Sequence, residues 1–450
     1  MFKHQINGSF DPWVRVGFIV LLIAIPLSFS INIGSSQLNI LSEPLIALFA
    51  VALIGLIKGK TFFRGNFIRH PLSILGLIYH GWMITMIPFS SNPWVSLKYT
   101  LVNAAHYWVF YFGFYFFVKH TGKNILNWMG SYLLSFMIVI LFSWYNYSWY
   151  GFRMDAAPVM ALPFYNDHAL YGASIALVLP FALLIPQNYL KKPGSLVLTG
   201  ILMIALFLSS SRAAWLSFGA GGIFISGLKF LRLKFITLTG LIAILSLLTM
   251  LNYTSLIRLI GSNREESRKG SWMEHFKSIG NITTDVSNLE RLNRYRCALR
   301  MWADRPFTGF GPGTYQYAYL PYQKPDEMTR LSVTTPRAPD GGPHPTGRGG
   351  GAHSEYLQAL SELGLPGFFC WIGLLVNGLY TGMKRYYQEK NREHQSLLLA
   401  ILFGLVTYFT HAFFNNFLHS EEIAVLFWPA LAALAFLDTE REPGAQIKDP

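Results

Sequence analysis

Residues 40–64 read "ILSEPLIALFAVALIGLIKGKTFFR". From 40 to 58 the stretch is apolar except around Glu43, and it then turns basic at Lys58, Lys60 and Arg64. A helix needs about 20 such residues to cross a bilayer. Cytoplasmic loops collect Lys and Arg. The stretch therefore reads as a membrane span with its C-terminal end inside.

The pattern repeats along the chain. Comparable windows fall near 14–34, 71–90, 98–118, 126–147, 168–187, 194–210, 212–231, 235–251, 366–383, 396–418 and 421–437. Only 13% of the 450 residues are charged and 52% are hydrophobic, whereas soluble domains carry about 25% charge. Mean hydropathy is +0.34. In lipid, backbone groups must be satisfied within helices or closed barrels. Barrel strands alternate with period two, and these runs do not. The expected fold is an all-α polytopic membrane protein of about 12 transmembrane helices. The first run continues into this pattern with no cleavage site, so it reads as a span and not as a signal peptide.

Orientation follows from the short loops. Lys119 and Lys123 follow the fourth window, and Lys191 and Lys192 the sixth. Lys229, Arg232 and Lys234 follow the eighth, and Lys384, Arg385, Lys390 and Arg392 the tenth. The intervening short loops hold almost none beyond Arg153 and Arg212. Both termini are thus expected in the cytoplasm. Four parts follow: a bundle over 1–251 (spans 1–9), an extracytoplasmic loop domain over 252–353, an interfacial helix with spans 10–12 over 354–440, and a cytoplasmic tail over 441–450. The net charge of +13 fits anchoring loops and gives no reason to invoke nucleic acid. Cys297 and Cys370 form no metal or disulfide framework.

The outer side holds the polar residues that invite chemistry. Asn166, Asp167 and His168 open the sixth span. Ser211 caps the eighth, which puts Arg212 in its first turn. A cation is unfavourable there by the helix dipole, unless an anion binds both the charge and the free amides. The 252–353 loop carries fourteen Lys/Arg and nine Asp/Glu. Within it, 289–304 reads as a helix with Arg291, Arg294 and Arg300 along one side and Leu292, Tyr295, Leu299 and Trp302 as its apolar face. The "GFGPG" of Gly309–Gly313 lacks the strand and spacing of a nucleotide fingerprint and reads as a tight turn. The stretch 334–351, rich in Gly and Pro, is expected to be mobile. Then "HSEYLQALSELGLP" places His353 before a Ser354 cap and a short amphipathic helix at the interface, which Gly364 and Pro366 end. His411, Asn415 and Asn416 lie near the outer end of the eleventh span. Polar groups at that depth face a bundle interior or cavity.

These residues resemble the O-antigen ligase and polymerase family. His353-Ser354, nine residues, then Gly364-x-Pro366-Gly367 is similar to its signature. "SSSRAAW" around Arg212 resembles its arginine turn. Arg291, Tyr295, Arg296, Pro306, Gly309, Gly311 and Gly313 resemble its loop motif, with Tyr295 where the pattern has tryptophan. The motifs cover about 212–367, and the first five spans carry none.

The resemblance implies a bacterial inner-membrane glycosyltransferase with its active site facing the periplasm. It would move a glycan from undecaprenyl pyrophosphate to the lipid A core, or to another glycan in a polymerase. It implies no metal and no cofactor. By that reading His353, Arg212 and Arg291 are catalytic and Arg296 binds substrate; Asp167, His168 and Asn415 are expected to bind substrate from their outer side and depth alone. Guanidinium forks suit phosphate oxygens, and a neutral histidine can take a hydroxyl proton. A transporter would put charges at the midplane of repeated halves, which this chain does not show.

Overall fold

The computed structural model describes residues 11–33, 36–56, 65–120, 125–184, 191–232, 235, 237, 286–329 and 350–439. Helix α1 spans Asp11–Leu27, and α2 Ser42–Leu56 follows a hairpin of β1 (Ser30–Ile33) and β2 (Ser36–Asn39). Next come α3 Pro71–Met86 and α4 Pro93–Tyr107, which runs through a wide π segment, Trp108–Phe112, into α5 Gly113–His120. Then follow α6 Leu126–Ser148, α7 His168–Leu184, α8 Lys192–Leu208 and α9 Arg212–Phe230. The later elements are α10 Val286–Asp304, α11 Tyr315–Ala318, α12 Glu355–Gln388, α13 Arg392–His411 and α14 Glu421–Thr439.

Local sequence explains many of the starts. Asn92 accepts from Val95 N at 3.3 Å ahead of Pro93 in the first turn of α4. Ser211 accepts from Ala214 N at 3.4 Å. Asn391 accepts from Glu393 N at 2.8 Å. Each satisfies a first-turn amide that has no helical partner.

Helix α14 is buried on every side from Ile423 to Phe436, as expected of a helix apolar all round, and it forms the centre of the bundle. Helix α9 lies against α13, where a side chain on Gly221 would strike Thr407 Oγ1 at 2.5 Å and Phe403 at 2.6 Å. Small residues at such contacts let helix backbones close up. The pairing sets Arg212 and His411 at the same end.

That end gathers six connecting segments. Asn39 of the hairpin donates to Glu421 at 2.9 Å, and Asn166 donates to Ser30 at 3.0 Å. Ser91 N donates to Phe310 O at 2.8 Å. Gly172 of α7 abuts Ser209 and Ser211. Glu355 N donates to Ala412 O at 2.9 Å.

Some expectations change. The first window, 14–34, is shortened because α1 stops at Leu27 and Ile31 and Ile33 join a hairpin, an arrangement that β-branched residues favour; the chain is mostly helical rather than purely so. Helix α13 ends at His411, so Asn415 and Asn416 stand in the following turn. Among the described residues, five helices are long and apolar enough to cross a membrane, namely Pro93–Lys119, Leu126–Ser148, Arg212–Phe230, Glu355–Gln388 and Glu421–Thr439, and five other apolar helices are shorter. The ninth window, 235–251, lies outside the described residues apart from Phe235 and Thr237. So does 334–349, and so does the tail 441–450.

Candidate active site

The site is built where α10, α12 and α13 meet. Helix α12 breaks at Gly364, whose backbone is left-handed (φ 65°, ψ −167°). A break frees carbonyls at the end of the first segment, 355–363, and buried carbonyls need partners. The 306–311 loop supplies them: Phe310 N donates to Ser361 O at 3.0 Å and Gly311 N to Glu362 O at 2.8 Å. Trp82 Nε1 donates to Leu363 O at 2.9 Å. Gly311 has φ 104°, and a Cβ there would lie 2.1 Å from Ser90 Oγ. The "GFGPG" glycines thus serve close backbone packing.

The segment 355–363 does not lie on a surface as an amphipathic helix. Its polar side chains Gln358, Ser361 and Glu362 are buried along with Leu360 and Leu363. Glu362 accepts from Gly313 N and Tyr315 N, both at 2.8 Å. Glu355 accepts from Tyr408 Oη at 3.0 Å and Leu418 N at 2.6 Å. The loop covers the polar face that the sequence pattern assigns to water.

Helix α10 is likewise rotated from its expected face. Its buried stripe is Leu289, Asn293, Cys297 and Met301, with Glu290, Arg294 and Ala298 beside it, while Leu299 is exposed. Arg294 can be buried because its charge is met. It donates to Glu290 at 3.0 Å, to Gly350 O at 3.1 Å and to Gly351 O at 3.0 Å. Its guanidinium also sits over the Tyr319 ring.

These bonds hold the strand that carries His353. Gln358 accepts from Ala352 N at 2.7 Å. Tyr295 donates to His353 O at 3.3 Å and to Phe413 O. Ser354 caps the helix by accepting from Leu357 N at 3.5 Å. His353 itself has φ 53°. That backbone is costly for a side chain with a Cβ and persists where the surroundings over-determine it.

Arg291 donates to Phe414 O at 3.3 Å and to Asn288 at 3.4 Å. Burial, then Arg294, then Arg291 push the His353 pKa down to about 3, while Asn415 opposes them by hydrogen bonding to the ring. Asn415 in turn lies 3.0 Å from His411 Nε2. The Ala213 backbone faces the His411 ring, which brings the head of α9, with Arg212, to the same place. At neutral pH His353 is an uncharged ring among cations.

The structure therefore brings together His353, Arg291 and Asn415, with the start of α9 adjacent. Arg296 points elsewhere: it pairs with Glu327 at 3.4 Å, beside Arg300, which holds the same carboxylate at 2.6 Å. Asp167 accepts from Ala169 N at 2.7 Å and so caps α7, with His168 Nδ1 3.5 Å from its carboxylate. Sequence reasoning placed Arg294 on the right helix but not in the site, and it listed His411 without a role. No local signal marks either, because both act through residues distant in the chain. Among the described residues no three His, Cys, Asp or Glu side chains converge as a metal group would.

Residues 195–372 match the family model described as O-antigen ligase. Over that segment the chain is similar to the O-antigen ligase and polymerase family. The matched segment contains Arg212, the whole arginine helix α10 and His353. No curated protein matches the chain. The match and the apolar helices support a membrane-embedded protein of glycosyltransferase type.

Proposed function

We propose that this protein transfers a glycan from undecaprenyl pyrophosphate to a hydroxyl of the lipid A core, on the periplasmic side of the inner membrane. The observation that carries the reading is the neutral His353, held in a left-handed turn between Arg291 and Asn415. In the reaction the acceptor O–H gives its proton to a His353 ring nitrogen. Its oxygen forms the new bond to the anomeric carbon. The bond from that carbon to the pyrophosphate oxygen breaks, and undecaprenyl pyrophosphate leaves with both electrons.

Charge then builds on the leaving oxygen. Arg291 and Arg212 are the groups to receive it. Fixed donors of this sort are worth about 3–4 kcal/mol each. A well-placed base contributes on the order of 10²–10⁴. Arg296 is better assigned to holding Glu327 in the loop, and Asp167 and His168 to the rim beside the hairpin. The reaction needs no metal in this scheme.

The test uses full-length purified protein and lipid-linked glycan extracted from the host deleted for this gene. It is incubated with lipid A core or with free glycan, without added metal, and the product linkage is identified. Transfer to lipid A core supports the ligase. Elongated lipid-linked glycan instead shows a polymerase with the same donor chemistry. No transfer to any hydroxyl, with released glycan absent, would overturn both.

A further inference from the structure

Residues 350–352 read Gly-Gly-Ala, and His353 comes next. None of the three has a side chain that can anchor it, so their path is set by whatever binds their backbone. Gly350 has φ 86°. A Cβ on Gly351 would lie 2.2 Å from Asn416 Nδ2 and 2.6 Å from Gln358 Oε1. The stretch therefore lies closer to its neighbours than a residue with a side chain could.

Two helices grip this backbone. From α10, Arg294 Nη1 donates to Gly350 O at 3.1 Å and to Gly351 O at 3.0 Å, while its Nε donates to Glu290 at 3.0 Å. Glu290 also accepts from Thr329 Oγ1 at 2.8 Å. One buried ion pair thus ties Thr329 and Gly350 to the same helix. From α12, Gln358 Oε1 accepts from Ala352 N at 2.7 Å. A backbone N–H only donates, so the amide oxygen is the atom that must face it. Gln358 Nε2 donates to Glu362, whose carboxylate is fixed by Gly313 N and Tyr315 N, both at 2.8 Å. Three successive residues ahead of His353 are therefore held by backbone bonds alone.

We infer that Arg294 and Gln358 are positioning residues that clamp the backbone of 350–352 from α10 and α12 and so set where the His353 ring meets the acceptor. The inference rests on the general-base reading above. Both act through the backbone, without touching donor or acceptor. Arg294→Lys keeps the charge but replaces a planar fork by a point, which cannot serve two carbonyls and Glu290 in the same plane. Gln358→Ala removes the acceptor of Ala352 N and changes no charge. A misplacement of about 1 Å can cost about 10²-fold in rate. Each variant should therefore lower kcat by about ten- to hundredfold. Donor KM should stay nearly unchanged, because Arg291 and Arg212 are untouched.

The experiment uses the full-length protein in detergent with lipid-linked glycan extracted from the gene-deleted host. Initial rates give kcat and donor KM for wild type, Arg294→Lys and Gln358→Ala, and the melting midpoint of each is followed. In parallel, diethyl pyrocarbonate labels His353 across pH 5.5–8.5, read by peptide mass spectrometry, since only a neutral ring nitrogen reacts. Burial, then Arg294 and Arg291, depress the wild-type pKa, so wild-type labelling should be flat over that range. A ring released toward solvent titrates near its ordinary value of about 6.5. Neither substitution changes a charge, so an acid limb in a variant reports displacement of the ring. A third readout needs no variant: in the unaltered protein the Ala352 amide should exchange slowly with deuterium, because Gln358 holds it. The expected result is lowered kcat together with an acid limb of labelling in both variants. Flat labelling in either folded variant, unchanged kcat beside a lowered melting midpoint, raised donor KM at unchanged kcat, or free exchange of the wild-type Ala352 amide would each overturn the inference. A His353→Ala variant that still transfers glycan defeats the general-base reading itself. An inactive His353→Ala with flat labelling in Arg294→Lys and Gln358→Ala defeats only the present inference.

Discussion

Burial, then Arg294 and Arg291, push the His353 pKa down to about 3, and this fixes the pH profile. The depressed value means the ring stays neutral until the solution is far more acidic than usual. At pH 5.5 fewer than about 1% of the rings carry a proton. An unperturbed histidine near 6.5 would be only about 9% neutral there and would lose about elevenfold in rate between pH 8.5 and 5.5. kcat/KM reports the free enzyme, so for this group it should be flat from pH 5.5 to 8.5. kcat reports the complex. Bound donor brings about two negative charges against Arg291 and Arg212, which offsets the cations that depress the ring. The acid limb of kcat should therefore lie at higher pH than that of kcat/KM. The assay is initial rates at donor concentrations far below and far above KM. A kcat/KM that falls tenfold with a midpoint near 6.5, absent in His353→Gln, would refute the claim that His353 is shielded among the arginines.

Arg291→Lys should lose tenfold or more in kcat/KM at matched expression, because a point charge cannot copy a bidentate fork; near wild-type turnover would leave Arg291 a mere brace for Phe414 O. Gly364→Ala should lower the melting midpoint by several degrees, since φ is 65° and the new Cβ would sit 2.3 Å from Phe307 O; strain at such a residue is about 1–3 kcal/mol before any clash, and an unchanged midpoint would mean that the helix break adapts freely. Lys324→Cys, exposed in the loop, should react with an impermeant maleimide in intact cells from which Cys297 and Cys370 have been removed, and reaction only after permeabilisation would invert the proposed topology.

What the sequence made legible was what short-range physics decides. Apolar length found the helices, and Ser211, Ser354, Gly364 and Pro366 marked where they start and break, because caps and left-handed stops act within a few residues. The motif spacing singled out His353 and Arg291, which the structure sets near each other. Facing directions failed where long-range partners reversed the usual preference. The helix 355–363 looks amphipathic only if water covers Gln358 and Glu362; the backbone amides of Ala352, Gly313 and Tyr315 cover them instead. Helix α10 shows its buried stripe on the Asn293–Arg294 side because carbonyls 350 and 351 take up the arginine. Arg296 and Arg291, five residues apart, look alike in sequence, yet one meets Glu327 and the other the turn after α13.

The proposed base has a physical reason to sit where it does. A histidine placed merely at a membrane surface would titrate near neutrality and would lose its lone pair in mildly acidic surroundings. Burying it beside Arg294 and Arg291 keeps it neutral. Under the proposed function its basicity then depends on the donor's charge, so proton acceptance strengthens when there is a leaving group to receive. That coupling needs His353 and Arg291 to share one small volume, and the left-handed turn at 353, braced by Tyr295 and Gln358, is the device that puts them there.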